Sequence, residues 1–226
     1  MLAALFVALQ YVLPKHLLTA LVWRIARIRH VASKDFLITR FVDLYKVDID
    51  DVKLDAPADF ATFNDFFVRE LVDGARPIDA DGSSIVSPVD GTVSMADTIR
   101  ADSIIQAKGI DYSLNDLLAT DLEQARAYVD GTFATIYLAP YNYHRIHSPW
   151  NGELVAARYI PGDLFSVNEA TVARVDGLFR RNERLVMHFS LEGDAKPVMR
   201  NANGPELLVP VVLRGGKAKF VQEYRW

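Results

Sequence analysis

The 226-residue sequence contains no cysteine. Disulfide frameworks, cysteine-ligated zinc, iron–sulfur clusters and a thiol nucleophile are therefore excluded, and the redox compartment cannot be read from thiols. Half of the residues are hydrophobic and 24% are charged, a mixture typical of a globular chain and not of a disordered one. The length is sufficient for one sizeable core with an appended segment.

Acidic residues are absent from the first 34 positions, although the whole chain has a formal net charge of -4. Residues 1–34 therefore carry a charge of +5, and residues 35–226 carry -9. So acidic a main body is a poor partner for nucleic acid, and no nucleic-acid partner is predicted. The five basic residues of the N-terminal segment are Lys15, Arg24, Arg27, Arg29 and Lys34.

Long hydrophobic runs are also absent. The two apolar stretches near the N-terminus, "MLAALFVALQYVLP" and "LLTALVWRIARI", are separated by a short polar break, and each is shorter than the roughly 20 residues that span a bilayer. Positive charge follows the apolar residues and does not precede them, so a signal peptide is not predicted. Residues 1–34 fit two structures: basic, apolar helices that lie in a membrane surface with Trp23 at the boundary, or a pair of core-packing helices.

Helices come first along the chain and strands later. Apolar residues recur at helical spacing between residues 36 and 45, and Thr62 with Asp65 forms a capping-box pattern at the start of another helix. After a linker rich in glycine and aspartate, "SIVSPVDGTVSMAD" predicts strands around a tight Asp-Gly turn.

A further capped helix is predicted over "SLNDLLATDLEQARAYV", and three strands are predicted in "GTFATIYLAP", "ARYIPGDLFSV" and "ERLVMHFSL". The fold class is therefore α+β, with an N-terminal helical part packed on a mostly antiparallel β core. Residues 1–34 form the membrane-associating or core-packing helices, and residues 35–226 form the main domain.

Two histidines stand three residues apart in "PYNYHRIHSPWNG". His144 and His147 could be hydrogen-bonded loop residues, a zinc pair or a catalytic pair. A zinc pair would need a further ligand such as His188 or Asp90, and no spacing selects one, so no metal is predicted. For catalysis, a carboxylate must fix the orientation of a basic histidine, and Asp90 in the "SPVDGTVS" corner is the best-placed candidate, although a turn aspartate that caps its own backbone has the same appearance.

Several longer blocks carry a resemblance to a known family. "TFNDFFVREL", "RPID", "SPVDGTVS", "QAKGIDYSLNDLL", "GTFATIYLAPYNYHRIHSPWNG", "YIPGDLFSVN" and "LFRRNERLV" occur in this order and at these separations. Together they resemble phosphatidylserine decarboxylase of the bacterial proenzyme type. The resemblance extends from about residue 5 to about residue 190 and covers most of the part called the β chain in that family.

The resemblance implies a carboxy-lyase that converts phosphatidylserine to phosphatidylethanolamine and CO₂ in phospholipid biosynthesis. Family members make a covalent pyruvoyl group from a serine in an LGST-type motif near the C-terminus, and this group accepts the electrons of the decarboxylation. By position, Asp90 and His147 match the residues that activate that serine. His144 matches the histidine that serves the substrate during decarboxylation. We expect Asp90 and His147 to lie within hydrogen-bonding reach or one water apart, and His144 to open on the same cavity.

The printed sequence departs from the family after about residue 190, and no LGST motif occurs in it. We therefore expect a polypeptide of these 226 residues to be inactive by itself. The departure fits a truncated or frame-shifted product, a non-catalytic homologue that binds lipid surfaces, or one half of a split enzyme. Pyridoxal phosphate on Lys108 would be a different electron sink, but no glycine-rich phosphate cup accompanies that lysine.

The expected partners follow from the same resemblance. They are phosphatidylserine, an anionic membrane surface, a separately supplied α chain carrying the pyruvoyl group, and a second copy of the chain in a homodimer. The expected location is the cytoplasmic side of the cell membrane, with the protein bound peripherally.

Overall fold

The computed structural model describes residues 2–78, 86–100, 103–107, 110–119, 128, 130–149, 151–191, 207–214 and 217–222. Its helices are α1 (Leu2–Val12), α2 (Lys15–Ala26), α3 (Val31–Tyr45), α4 (Phe63–Phe67), α5 (Leu114–Leu118), α6 (Glu169–Val172) and α7 (Leu178–Arg181). Its strands are β1 (Thr92–Thr98), β2 (Ser103–Ala107), β3 (Ile110–Ser113), β4 (Thr132–Leu138), β5 (Gly152–Ile160), β6 (Arg184–Leu191), β7 (Leu207–Arg214) and β8 (Lys217–Gln222).

Six of the strands form one antiparallel sheet in the order β1-β4-β7-β8-β6-β5. Strands β2 and β3 form a separate antiparallel pair. The main core joins strands of this sheet to the short helices α5, α6 and α7, and it includes Leu117, Leu138, Phe165 and Phe179. The predicted α+β class with a mostly antiparallel β core is confirmed.

Helices α1 and α2 meet at a bend of 92°. Pro14 stands at the break, where its missing N–H and its restriction of the preceding residue end one helix before the next begins. No single helix in the described part of the chain is long and apolar enough to cross a membrane, and α1 with α2 reaches that length only as a bent pair.

One side of α1 is attached to the main domain. Gln10 is buried, its amide nitrogen donates to Thr171 Oγ1 at 3.1 Å, and its amide oxygen accepts from the Ser166 backbone N–H at 2.8 Å. Tyr11 packs edge-on against Phe165, with ring centroids 4.9 Å apart. The core-packing prediction is therefore correct for this face of α1, while the rest of the helix pair exposes large apolar side chains.

Helices α3 and α4 build a second core around aromatic rings. The Thr62 hydroxyl accepts from the Asp65 backbone N–H at 3.1 Å, which confirms the predicted N-cap of α4. This cap directs Phe66 and Phe67 inward, where both rings are about 1% exposed or less. Phe41 of α3 packs against both rings at centroid distances of 6.4 and 5.9 Å.

Three predicted elements differ from the structure. Residues 86–91 form no strand before β1, and residues 161–167 form a loop that follows β5 instead of continuing it. The predicted helix from residue 113 ends at Leu118, because Ala119 adopts a left-handed conformation with φ of 46°. In the remainder of that predicted helix, residues 120–127 and 129 lie outside the described residues, and Tyr128 lies in a turn.

Candidate active site on the histidine loop

The histidine loop, residues 139–149, follows β4 and carries both candidate histidines. Its first turn is closed by Asn142, whose side-chain oxygen accepts from the Ala139 N–H at 2.7 Å while its own N–H donates to the Ala139 carbonyl at 2.9 Å. Asparagine is suited to this position because its short amide side chain imitates a backbone turn. The remainder of the loop is irregular and lies alongside residues 86–90.

Two backbone hydrogen bonds bring the Asp90 segment to the histidine loop. The His147 N–H donates to the Pro88 carbonyl at 2.9 Å, and the Val86 N–H donates to the Pro149 carbonyl at 3.1 Å. Pro88 can accept but cannot donate, so the pairing does not extend into a regular ladder. Residues 86–90 are therefore held by this pairing with the histidine loop and not by the predicted hairpin.

Gly91 serves close packing and does not form a tight turn. A Cβ atom at this position would lie 2.7 Å from the Tyr137 carbonyl oxygen and 2.8 Å from a side-chain carbon of Ile136. The prediction that the glycine serves a tight Asp-Gly turn is therefore wrong. Glycine is required because the chain that leaves Asp90 passes directly over β4.

A cavity of about 500 Å³ opens between residues 70–78 and the paired segments. Asp90, His147, Tyr143 and Arg76 contribute to its wall, together with Lys53 and Ser148. The predicted pair Asp90 and His147 thus shares one cavity. His144 is not among the described residues that line it, so the expectation that His144 opens on the same cavity is not met.

Asp90 is held by an arginine that sequence reasoning did not identify. Arg76 Nε donates to Asp90 Oδ2 at 2.7 Å, and Arg76 Nη1 donates to Asp51 at 3.1 Å. Burial lowers the pKa of Arg76, but the hydrogen bonds with Asp90 and Asp51 outweigh this effect and raise it above its ordinary value. Arg76 therefore remains a cation that orients the Asp90 carboxylate. Its only sequence signal was its place in the "RPID" block.

His147 is hydrogen-bonded to Tyr143, which sequence reasoning also missed. The Tyr143 hydroxyl lies 2.9 Å from His147 Nε2, and the two rings are nearly parallel at 20°. Burial is the main reason why the pKa of Tyr143 is raised, so its hydroxyl keeps its proton at neutral pH. The phenol can donate to Nε2 of the neutral ring or accept from an Nε2–H, so this contact orients the imidazole in either tautomer. The available signal was the four-residue spacing in "YHRIH".

His144 has a different environment. Its Nδ1 lies 2.8 Å from the Asn142 carbonyl oxygen, and its ring packs against Phe67 with centroids 4.1 Å apart. Because a carbonyl oxygen can only accept, Nδ1 must carry the hydrogen, and Nε2 is the nitrogen that exchanges protons. The two histidines therefore lie in different surroundings.

Two alternatives have no support in the described structure. Within the described ranges, no group of three or more His, Asp or Glu side chains could hold a metal ion. Lys108, the residue considered for pyridoxal phosphate, lies outside the described residues. The hydrogen bonds described for Asp90 go to Arg76 and that of the His147 ring goes to Tyr143, so a direct bond between Asp90 and His147 stays a prediction.

Sequence comparison shows which known proteins this chain resembles. The family model described as phosphatidylserine decarboxylase matches residues 63–204, and a second model, described as PSD, matches residues 5–46. The phosphatidylserine decarboxylase proenzyme of Alcanivorax borkumensis is 48% identical over 189 residues, which cover 83% of this chain and 65% of the relative.

Other proenzymes of the same name give similar values. That of Pseudoalteromonas atlantica is 48% identical over 183 residues, covering 81% of this chain and 64% of the relative. That of Pseudoalteromonas translucida is 47% identical over 186 residues, covering 82% of this chain and 65% of the relative. The chain thus spans a little less than two thirds of the length of these curated relatives.

Proposed function

The chain belongs to the phosphatidylserine decarboxylase family, and we propose that it forms the body of an enzyme that converts phosphatidylserine to phosphatidylethanolamine and CO₂. The observation that carries this proposal is the cavity that both Asp90 and His147 line. These are the two residues that, by family resemblance, activate the serine from which the pyruvoyl group is made.

The residues of this cavity fit the formation of a pyruvoyl group. When present, such a group draws off the electron pair that CO₂ leaves behind. The cavity volume lies within the ordinary range for small-ligand sites. Its wall supplies a carboxylate, an imidazole and a phenol, which are the groups needed to take a proton from a serine hydroxyl and to hold it.

His147 is the proposed base for that hydroxyl. In the tautomer with its ring hydrogen on Nδ1, the imidazole can accept a proton at Nε2, and this nitrogen already lies 2.9 Å from the Tyr143 hydroxyl. An arriving serine hydroxyl must therefore replace the phenol or pass its proton through it. Asp90 lies on the same wall and, held by Arg76, supplies negative charge that favours the imidazolium formed in this step.

His144 is the proposed proton carrier for the substrate. The carbon that loses CO₂ must gain a proton, and His144 can deliver one from Nε2 after this nitrogen has taken up a proton from solvent, while Nδ1 keeps its hydrogen on the Asn142 carbonyl. Asn142 and Phe67 hold the His144 ring from two sides. The different surroundings of His144 and His147 support separate tasks for them: one acts on the chain itself and the other on the lipid.

We further propose that α1 and α2 bind the cytoplasmic surface of the cell membrane. Their outer faces expose many large apolar side chains, while the inner face of α1 is fixed to the main domain. Basic side chains on α2 and just after it would meet anionic headgroups. The exposed apolar residues of the pair include Leu2, Leu5, Leu9, Leu17, Leu18, Leu21, Val22, Trp23 and Ile25.

Membrane binding can be tested without disturbing the attached face of α1. Replacing Leu17, Leu21 and Trp23 with serine is expected to reduce sedimentation with anionic vesicles by about tenfold or more, because these side chains would no longer enter the interface. Added salt is expected to weaken the binding of the unsubstituted chain, since part of the attraction is electrostatic. The measurement is the vesicle-bound fraction after centrifugation.

A matched control removes apolar surface elsewhere. Val155 and Tyr159 on β5 are 58% and 57% exposed, and their replacement with serine is expected to leave vesicle binding unchanged. If the α2 variant binds as well as the unsubstituted chain, the anchor proposal is wrong.

The proposed activity is tested by supplying the missing motif. Residues 1–191 are fused to the C-terminal segment of the Alcanivorax borkumensis relative, which by family resemblance carries the LGST-type serine, and are incubated with vesicles containing carboxyl-labelled phosphatidylserine. We expect release of labelled CO₂ and formation of phosphatidylethanolamine. A folded, self-cleaved fusion that binds vesicles but leaves the lipid unchanged would favour a non-catalytic lipid-surface protein.

A further inference from the structure

Residues 67–70, here called the cradle segment, contact the histidine loop along their whole length. The Phe67 ring packs on His144 at 4.1 Å between centroids. Arg145, the next residue of the loop, donates from Nε to the Val68 carbonyl at 2.7 Å and from Nη1 to Glu70 at 2.9 Å. These contacts join positions about 75 residues apart in sequence. The loop is therefore held in place by a segment that does not belong to the sheet containing β4.

Arg69 makes the remaining contact and is the most deeply buried charge of the cradle segment. Only 3% of its surface is exposed. Its Nη2 donates to the carbonyl oxygens of Tyr141 and Asn142 at 3.2 and 3.4 Å. Its Nε and Nη1 are buried without a hydrogen-bond partner. Burial lowers the pKa of Arg69, opposed by the charges of Asp48 and Asp90.

The Arg69 guanidinium also lies over the Phe66 ring, 5.3 Å from its centroid, but its hydrogen bonding is a poor way to stabilise a fold. A buried guanidinium that leaves two of its nitrogens unbonded retains much of its desolvation cost. Arg184 provides the comparison within the same chain. It is equally buried, but all three of its guanidinium nitrogens donate to backbone carbonyls, at 2.7 to 3.0 Å. Arg69 therefore needs an explanation other than stability.

The Asn142 carbonyl supplies that explanation. It accepts from Arg69 Nη2 at 3.4 Å and from His144 Nδ1 at 2.8 Å, so the same oxygen that sets the His144 tautomer is held by Arg69. We propose that Arg69 is a positioning residue for His144: it fixes the 141–142 backbone and so keeps the ring hydrogen on Nδ1 and the proton-exchanging nitrogen at Nε2. The importance of this positioning for decarboxylation rests on the proposed function.

The cradle segment is itself rigidly held. Phe67 ends helix α4, whose capped start and buried aromatic rings tie it to α3 through Phe41. The backbone that carries Arg69 is therefore held rigidly, as a positioning residue requires. His144 lies on the irregular histidine loop and not on strand β4, so the strand itself does not hold it in this way.

The state of His144 can be measured in the full 226-residue chain, independently of any activity. In ¹⁵N-histidine NMR spectra, with His144 assigned from a His144→Gln variant, the unsubstituted chain is expected to show a single tautomer with hydrogen on Nδ1. Arg69→Met and Arg69→Gln are expected to show a mixture of the two tautomers, since neither side chain can hold the 141–142 carbonyls. Arg69→Lys, which keeps a long cationic donor, is expected to restore most of the Nδ1–H form.

Arg184→Met is the matched control, because it removes an equally buried guanidinium far along the chain from the histidines. It is expected to lower the unfolding temperature more than Arg69→Met does and to leave the His144 tautomer unchanged. An unchanged His144 spectrum in folded Arg69→Met would overturn the proposal. Failure of both Arg69→Met and Arg69→Gln to fold would also overturn it, because Arg69 would then serve the stability of the fold.

Measurements on the fused protein distinguish the positioning role of Arg69 from the proposed decarboxylase function. There, Arg69→Met is expected to lower kcat for CO₂ release by about a hundredfold, the scale of a small misplacement of a reacting group, with little change in KM. A tautomer change in the 226-residue chain together with an inactive unsubstituted fusion would contradict the proposed function and leave the positioning role intact. Equal kcat values for the Arg69→Met and unsubstituted fusions would contradict the role in decarboxylation.

Discussion

Replacing His147 with alanine in the fused protein is expected to leave the polypeptide as one uncleaved band. His147 is the proposed base for the serine hydroxyl, and the alanine variant removes the imidazole that would accept its proton. General-base catalysis typically contributes 10²- to 10⁴-fold, so cleavage that is complete in the unsubstituted fusion should become undetectable over the same period. The measurement is the time course of cleavage by gel electrophoresis.

Two further variants show whether this effect belongs to the site. Tyr143→Phe keeps the ring beside His147 but removes the hydroxyl that is hydrogen-bonded to Nε2, and cleavage is expected to be altered in rate but not abolished. His188→Ala changes a histidine on β6 and is expected to cleave normally. Normal cleavage of the His147→Ala fusion would show that the base has been assigned wrongly.

Replacing His144 with alanine is expected to have the opposite pattern: complete cleavage but almost no decarboxylation. His144 is absent from the wall of the cavity that holds Asp90 and His147, so its loss should not affect activation of the serine. The substrate carbon would lose its proton donor, and CO₂ release is expected to fall by about 10²-fold or more. The measurement is labelled CO₂ per cleaved enzyme, with binding to phosphatidylserine vesicles as the control for folding.

Two outcomes would contradict the separate roles of the histidines. If the His144→Ala fusion does not cleave although its thermal unfolding is normal, then His144 belongs to the processing site. If it cleaves and retains full decarboxylation, then another group supplies the proton.

Local sequence patterns predicted local structure well in this chain. The capping pair Thr62 and Asp65 fixed the start of α4, because the cap depends on atoms only three residues apart. The break at Pro14 separated two helices for the same reason: the proline acts on its immediate neighbours. The strands β4 and β6 were visible from their β-branched and aromatic residues.

The corner at Asp90 shows where such patterns fail. An Asp-Gly pair is the usual sign of a hairpin turn, but here glycine is demanded by β4, whose residues are about 45 positions further along the chain. Nothing in a single sequence indicates that β4 lies so close to this glycine. The pairing of residues 86–88 with residues 147–149 is equally invisible.

The catalytic side chains of the candidate site could be predicted from the sequence, but the residues that hold them in place could not. Asp90, His144 and His147 were chosen for their side chains and family positions, and the shared cavity of Asp90 with His147 agrees with that choice. The residues that hold them, Arg76 and Arg69, act over 14 to 73 positions of sequence. Arginine is common on protein surfaces, and only the fold distinguishes these two from surface residues.

The most direct test of the account is the intact mass of the unsubstituted fusion, measured beside the 226-residue polypeptide. Asp90 and His147, which line one cavity, are proposed to process a serine supplied to it. We expect the fusion to give two fragments, the smaller one carrying a carbonyl reactive towards hydrazine reagents, and the 226-residue polypeptide to give one unreactive mass. A folded fusion that remains a single mass, or a reactive carbonyl in the 226-residue polypeptide, would contradict the account.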